Sequence, residues 1–120
     1  MAETHRLVLT EDLNQFGFLF GGRLLSWVDE ASWIAASLDF PKCQFVTVGM
    51  DKVEFKHQIF AGDIILFRSD LEYQGNTSVG YRVEVYKGKS PQKDSLFSTR
   101  VTFVNVNEKG EKALISAKNA

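Results

Sequence analysis

The residues of this 120-residue chain best suited to chemistry concentrate between Asn14 and Asp29. The run Asn14-Gln15-Phe16-Gly17-Phe18-Leu19-Phe20-Gly21-Gly22 is a loop with three glycines that leads straight into a helical pattern. A helix start presents backbone N–H groups that lack intrahelical acceptors and carry partial positive charge, so it can receive a carbonyl or phosphate oxygen. Glycine there removes the side chain that would hold a ligand away from the backbone. A glycine-rich cap with no ligand fits the same pattern. Two turns further on, Asp29 falls beside Gly22, Ser32 and Ala36 on the helix surface. A carboxylate bordered by small side chains leaves room for a substrate and suits a base or a nucleophile, whereas a solvated helix aspartate is the plain alternative. Glu30 lies on another face, near Arg23, Ser26 and Ser37, and reads as an ordinary surface charge.

Other reactive residue types do not assemble. His5 and His57 are the only histidines, and no spacing of His, Cys and acids resembles a zinc site, so no metal is expected. The single cysteine, Cys43, excludes a disulfide framework within one chain, reads as a small hydrophobe, and suits a reduced, cytoplasmic setting. Arg82, Arg100, Lys87 and Lys89 are able to meet phosphates, yet each is equally at home on a solvated strand edge. Lys plus Arg number 14 against 15 Asp plus Glu, a formal charge of −1, so there is no global basic field for nucleic acid or an anionic membrane. Apolar runs are as short as Ile64 to Phe67, and the first residues lack an apolar run behind a basic start, so neither a membrane span nor a signal peptide is expected.

These residues need a scaffold. The chain is 44% hydrophobic with nine Gly and two Pro, which excludes disorder and collagen-like repeats and predicts one domain over residues 1–120, with Glu111 to Ala120 as a loose tail. Leu24, Val28, Ala31, Ala35 and Leu38 recur at helical steps and predict an amphipathic helix between Gly22 and Asp39, with Pro41 just beyond its end. Trp27 and Ile34 flank that stripe and Trp33 lies almost opposite it, which calls for a widely wrapped sheet or a second subunit. The period then changes to two. Val46, Val48 and Met50 begin one strand, Ile65 to Tyr73 form another, Val79 to Val85 a third and Phe97 to Phe103 a fourth, with a short strand near His5 to Leu9. Glycine-containing turns between them imply antiparallel neighbours, giving an α+β layout with the helix against one sheet face.

The spacing Asn14-x-x-Gly17-x-x-Phe20-Gly21-Gly22-x-Leu24-x-x-x-x-Asp29-Glu30-Ala31 resembles the signature of hotdog-fold acyl-CoA thioesterases of the acyl-CoA hydrolase type. The resemblance continues through Val53-Glu54-Phe55, Gly62-Asp63, Gly75-x-Thr77-Ser78 and Val83-Glu84-Val85-Tyr86, nearly the whole chain. It implies a hotdog fold, a long central helix wrapped by a curved antiparallel sheet of about five strands. It also implies a homodimer paired edge to edge, often three such dimers in a hexamer, with Trp27 and Trp33 at or near subunit contacts. By the same resemblance Asp29 matches the catalytic carboxylate, Asn14 the catalytic amide from the opposite subunit, Gly21-Gly22 the oxyanion-binding helix start, and Thr77 and Ser78 part of the coenzyme A contact region. Acyl-CoA would be the substrate, so coenzyme A enters as part of substrate and product and no cofactor is implied. Lys56-His57 departs from the family, where an apolar residue and a proline are common, and nothing carries over there. A hotdog module that binds acyl-CoA without hydrolysing it would keep the groove but need neither Asn14 nor Asp29. A hotdog dehydratase would need a histidine near the helix, and the helix has none.

Overall fold

Gly21–Asp39 form the long helix α1. It starts where extended Phe20 hands its carbonyl to the amides of Arg23 and Leu24, and it stops at Phe40, whose N–H bonds the Ala36 carbonyl just before Pro41. The computed structural model describes residues 1–88 and 94–115. The buried helix face is Leu24, Trp27, Val28, Ser32, Ala35 and Ala36. It is rotated from the stripe expected on periodicity alone, because Leu38 is 68% exposed and Trp27 only 8%. The indole of Trp27 meets the Phe67 ring edge-on at 6.4 Å, and the Arg6 guanidinium lies 4.7 Å from its centroid. An indole with a core aromatic on one side and a cation on another is satisfied within its own chain. Trp33 is half-exposed and donates its Nε1–H to the Phe45 carbonyl at 3.0 Å.

Five strands form one antiparallel sheet: β1 (Ala2–Leu7), β2 (Phe45–Phe55), β3 (Ile64–Gln74), β4 (Ser78–Lys87) and β5 (Phe97–Asn105). Their spatial order is β1-β3-β4-β5-β2, so β1 and β2 are the two edges. Aromatic and β-branched residues at alternate positions of β3, β4 and β5 turn inward, and Phe67, Val79, Tyr81, Val83, Val85, Phe97, Val101 and Phe103 pack with Val28, Ala36 and Phe40 as the core. Burying each of these larger side chains contributes about 1.5–3 kcal/mol against full exposure.

The helix is tied to the sheet at its far end. The buried Tyr81 hydroxyl donates to Asp39 Oδ2 at 2.5 Å. Burial first, then the hydrogen bond to Asp39 and its negative charge, push the Tyr81 phenol well above its ordinary range. Beyond β5 the chain is also more tightly held than expected. Ala113 N–H bonds the Asn105 carbonyl, Ile115 N–H bonds the Asn76 carbonyl, and Asn105 Nδ2 donates to the carbonyls of Ala113 and Leu114. Residues 111–115 are therefore not loose, and the rest of the expected tail lies outside the described residues.

Candidate active site

The loop before α1 is built around the Asp12 carboxylate and the Asn14 amide. Asp12 accepts the Leu9 N–H at 2.9 Å through Oδ2, its carbonyl accepts the Phe20 N–H, and Arg23 Nε lies 3.5 Å from Oδ1. Asn14 Oδ1 accepts two backbone N–H groups, from Phe16 at 2.9 Å and Phe18 at 3.2 Å, while Gly17 takes a φ of +89° to close the turn. Two N–H donors can be met only by the carbonyl oxygen, which fixes the amide orientation. The Asn14 Nδ2 group is thereby left as a donor without a protein partner among the described residues.

Gly21 and Gly22 are the first residues of α1, and neither amide has a backbone acceptor among the described residues. A Cβ on Gly21 would stand 3.4 Å from Cζ of Phe55, so that ring lies directly over the glycine. Between them opens a cleft of about 330 Å³, walled by Asn14, Phe18, Leu19, Gly21 and Leu24 on one side and by Phe55 through Ile59 on the other. The structure thus brings together Asn14 and Gly21 of the expected site, with Gly22 next along the helix.

Asp29 is elsewhere. It lies eight residues past Gly21, about 12 Å along the helix axis, and lines no part of that cleft. Its Oδ1 accepts the Thr47 Oγ1–H at 2.7 Å. Sequence reading did not single out Thr47, an ordinary strand threonine whose partner becomes visible only in the packing of β2 beside α1. In sheet register Thr47 is opposite Phe103, and Phe103 opposite Val79, one position from Ser78. Phe55, by contrast, is opposite Phe97, and Phe97 opposite Val85. From Ser78 to Val85 along β4 is about 23 Å. One chain therefore carries two separated constellations: Asn14, Gly21 and Gly22 at one end of the sheet, and Asp29 with Thr47 toward the other, where Thr77 and Ser78 also lie.

Thr77 and Ser78 use their backbone carbonyls to accept N–H groups of Asn105 and Gly75, and they share no cavity with Asn14. Among the basic candidates, Arg100 is clamped by Glu72 at 2.6 Å, Lys87 lies 3.5 Å from Asp63, and Arg82 is in register between Asp70 and Arg100. Lys89 lies outside the described residues. Cys43 is half-buried against the core. Among the described residues no three His, Cys, Asp or Glu side chains cluster to hold a metal, and no helix is long and apolar enough to cross a membrane.

The family model described as the thioesterase superfamily matches residues 16–93, a stretch that includes Gly21, Gly22, Asp29, Thr47, Thr77 and Ser78. The chain belongs to the thioesterase superfamily. Its helix and five-stranded antiparallel sheet are the hotdog fold of that superfamily's solved members. A hexameric hotdog-fold thioesterase of Campylobacter jejuni, Cj0915, superposes with a TM-score of 0.83 at 37% identity, over 94% of this chain and 88% of that one. The acyl-CoA hydrolase of Staphylococcus aureus, solved with butyryl coenzyme A and coenzyme A, superposes with a TM-score of 0.83 at 26% identity, over 98% of this chain and 69% of that one. The uncharacterized acyl-CoA thioester hydrolase YkhA of Bacillus subtilis is 28% identical over 83% of this superfamily member and 59% of its own length. The chain thus spans little more than half of that curated relative.

Proposed function

We propose that this thioesterase-superfamily chain hydrolyses acyl-CoA thioesters at a site assembled from two copies. The observation that carries this reading is the separation just described. A thioester carbonyl and its attacking oxygen occupy a few ångströms, as reactive encounters require, so the helix start and Asp29 of one chain, about 12 Å apart along the axis, do not serve one carbonyl together. Strand β2 supplies the means of joining two halves. It is an eleven-residue edge strand, exposed along most of its length, with Val46, Val48, Val53 and Phe55 unburied. Antiparallel pairing of β2 with its copy about Met50 sets Phe45 of one chain opposite Phe55 of the other. It thereby carries the Asp29–Thr47 end of one copy toward the Asn14–Gly21 cleft of the second.

In that site the thioester oxygen accepts from the Gly21 and Gly22 amides and from Asn14 Nδ2, none of which has a protein acceptor among the described residues. Asp29 of the other copy, its carboxylate oriented by Thr47, takes a proton from water as the water oxygen bonds to the carbonyl carbon. Collapse of the tetrahedral species breaks the carbon–sulfur bond, the sulfur leaves as thiolate, and the fatty acid departs. Because a thiolate is a good leaving group, no separate strong acid is needed. Coenzyme A is gripped in part by Thr77 and Ser78, which lie toward the same end of the sheet as Asp29, and no further cofactor takes part. Support for the substrate comes from the S. aureus structure with butyryl coenzyme A, and alanine variants of that enzyme were solved at an asparagine and an aspartate spaced along the chain as Asn14 and Asp29 are here. Its third such variant is at a threonine. The hexameric relatives support three dimers as the full assembly, and a lone reduced Cys43 fits the cytoplasm.

The deciding experiment follows release of free thiol from acyl-CoA thioesters of increasing chain length, with wild type and Asp29→Asn side by side. Steady turnover by wild type that the substitution abolishes supports the proposal. Saturable binding with no thiol released would replace it with a module that holds acyl-CoA without cleaving it.

A further inference from the structure

The wall of the cleft facing Asn14 and Gly21 is polar where a site for a plain alkyl chain would be apolar. Lys56, His57 and Gln58 form it, above a floor of Leu24, Phe55 and Ile59. The segment is fixed in place, since the amides of Lys56 and His57 both donate to the Leu96 carbonyl, at 2.9 and 3.2 Å. Lys56 Nζ gives one hydrogen bond to the buried Ser95 Oγ at 3.0 Å, and its other two N–H donors have no protein acceptor among the described residues. Within a single chain no Asp or Glu lines the cleft, the proposed Asp29 coming from the other copy, and Lys56 takes part in no ion pair among the described residues. The second sizeable groove differs in just this respect, because its cation, Arg6, is matched by Glu30 at 2.7 Å.

We infer that Lys56 and His57 select an acyl group that ends in a carboxylate, so that the preferred substrate class is the coenzyme A thioester of a short dicarboxylic acid. The inference rests on the thioesterase reading above. A cleft of about 330 Å³ has the liquid volume of roughly eleven waters, room for a short acyl group lying between Gly21 and Lys56. Lys56 and His57 are exposed at the cleft wall, and an acyl chain of methylenes alone offers the ammonium no acceptor. A terminal carboxylate supplies that acceptor through a charge-assisted hydrogen bond. The phosphates of coenzyme A are also anionic, but the whole pantetheine arm separates them from a thioester held at Gly21, so they fall outside this cleft.

Succinyl-CoA and butyryl-CoA have four acyl carbons each and differ in the terminal carboxylate, which makes them the probes. The expected kcat/KM is at least about tenfold higher for succinyl-CoA in wild type, the scale of one hydrogen bond to a charged group. In Lys56→Met/His57→Ala the ratio of the two values falls by about tenfold or more, and Lys56→Arg, which keeps the charge, retains most of the preference. Should the double variant fail to fold, Lys56→Met alone is read in the same way. A wild-type ratio of one or below overturns the inference, as does a ratio that the substitutions leave unchanged. Free coenzyme A is the third probe: affinity for it should be equal in wild type and the double variant, and a tenfold loss would assign Lys56 and His57 to phosphate instead. Hydrolysis of other acyl-CoA thioesters but of neither of these two also overturns the inference, whereas if no acyl-CoA of any chain length is hydrolysed the enzymatic proposal fails on its own. The wall is then judged by calorimetric titration of Asp29→Asn, where tighter binding of succinyl-CoA sustains it and equal or weaker binding rejects it.

Discussion

Asp29 is held through one oxygen only: Oδ1 takes the Thr47 hydroxyl at 2.7 Å, and Oδ2 has no protein donor among the described residues. A carboxylate anchored on one side and open on the other is suited to deliver its free oxygen to a water molecule. Asp29→Asn keeps an oxygen for Thr47 but removes the basic one, and turnover should fall by roughly 10² to 10⁴ with the fold intact. A loss under threefold would remove Asp29 from the mechanism. Thr47→Val frees the carboxylate to rotate and should lower kcat by about tenfold with little change in KM, while Thr47→Ser restores most of it. A change confined to KM would instead place Thr47 in substrate binding. Single turnover in ¹⁸O-water tests the base role further, with label expected only in the released acid. Label in the Asp29 carboxylate would mean direct attack by Asp29 and a mixed anhydride. The stretch from Asn14 to Asp29 stood out in the sequence as a glycine loop running into a helix, and the roles expected of Asn14 and Asp29 came from the family resemblance. Thr47 did not stand out, since its relation to Asp29 exists only after β2 has packed beside α1.

Helix α1 is finished differently at its two ends, and each end follows from local residue choice. The start is bare backbone at Gly21, which lines the cleft, and at Gly22 next along the helix. The finish is pinned by Tyr81 and Asp39, a pairing that offsets the unfavourable placement of a carboxylate beside the negative pole of a helix. Tyr81→Phe should cost about 1.5–3 kcal/mol of stability, the range for a hydrogen bond to a charged group, as read by urea unfolding near neutral pH. Alkaline behaviour gives a second reading. The phenol's pKa is raised in the folded state, by burial first and then by Asp39, so its stabilising contribution is complete below the unfolded value of about 10 and is lost as pH rises above it. Wild type should therefore lose stability between pH 9 and about 11 more steeply than Tyr81→Phe; parallel curves would show that Tyr81 titrates as it does in the unfolded chain. The helix boundaries were readable from Gly21-Gly22 and Pro41. The misplacement of Leu38 in the buried stripe arose because periodicity gives the width of an apolar face and says nothing of what lies opposite, which here is Phe67 turned toward Trp27.

For the whole molecule, the separation of Asn14 from Asp29 predicts that two defective chains complement one another. Asn14→Ala and Asp29→Asn, each nearly inactive, are refolded together in equal amounts. Random pairing makes about half the dimers mixed, and each mixed dimer has one site with both native groups, so about a quarter of wild-type activity should return. Recovery no greater than the parents, with mixed dimers verified by mass spectrometry, would reject the shared site. The sequence pointed toward a second copy for a reason only half sound. Of the two tryptophans invoked, Trp27 is buried in its own chain; the resemblance implied edge-to-edge pairing, but that β2 is an uncovered edge is visible only from the strand order. That edge has a further consequence for solubility. A long apolar strand with free amides is the kind of surface on which sheets grow without limit into fibres. Here Lys52 has a left-handed φ of +53°, and the strand slips register against β5 on both sides of Gly49 to Asp51. These bends spoil a straight template for such growth. The opposite edge, β1, is only six residues long, with Glu3 and His5 exposed and Arg6 paired to Glu30 of α1. If two copies meet along β2 as proposed, each exposed end of the joined sheet is a short charged strand, and further addition stops there.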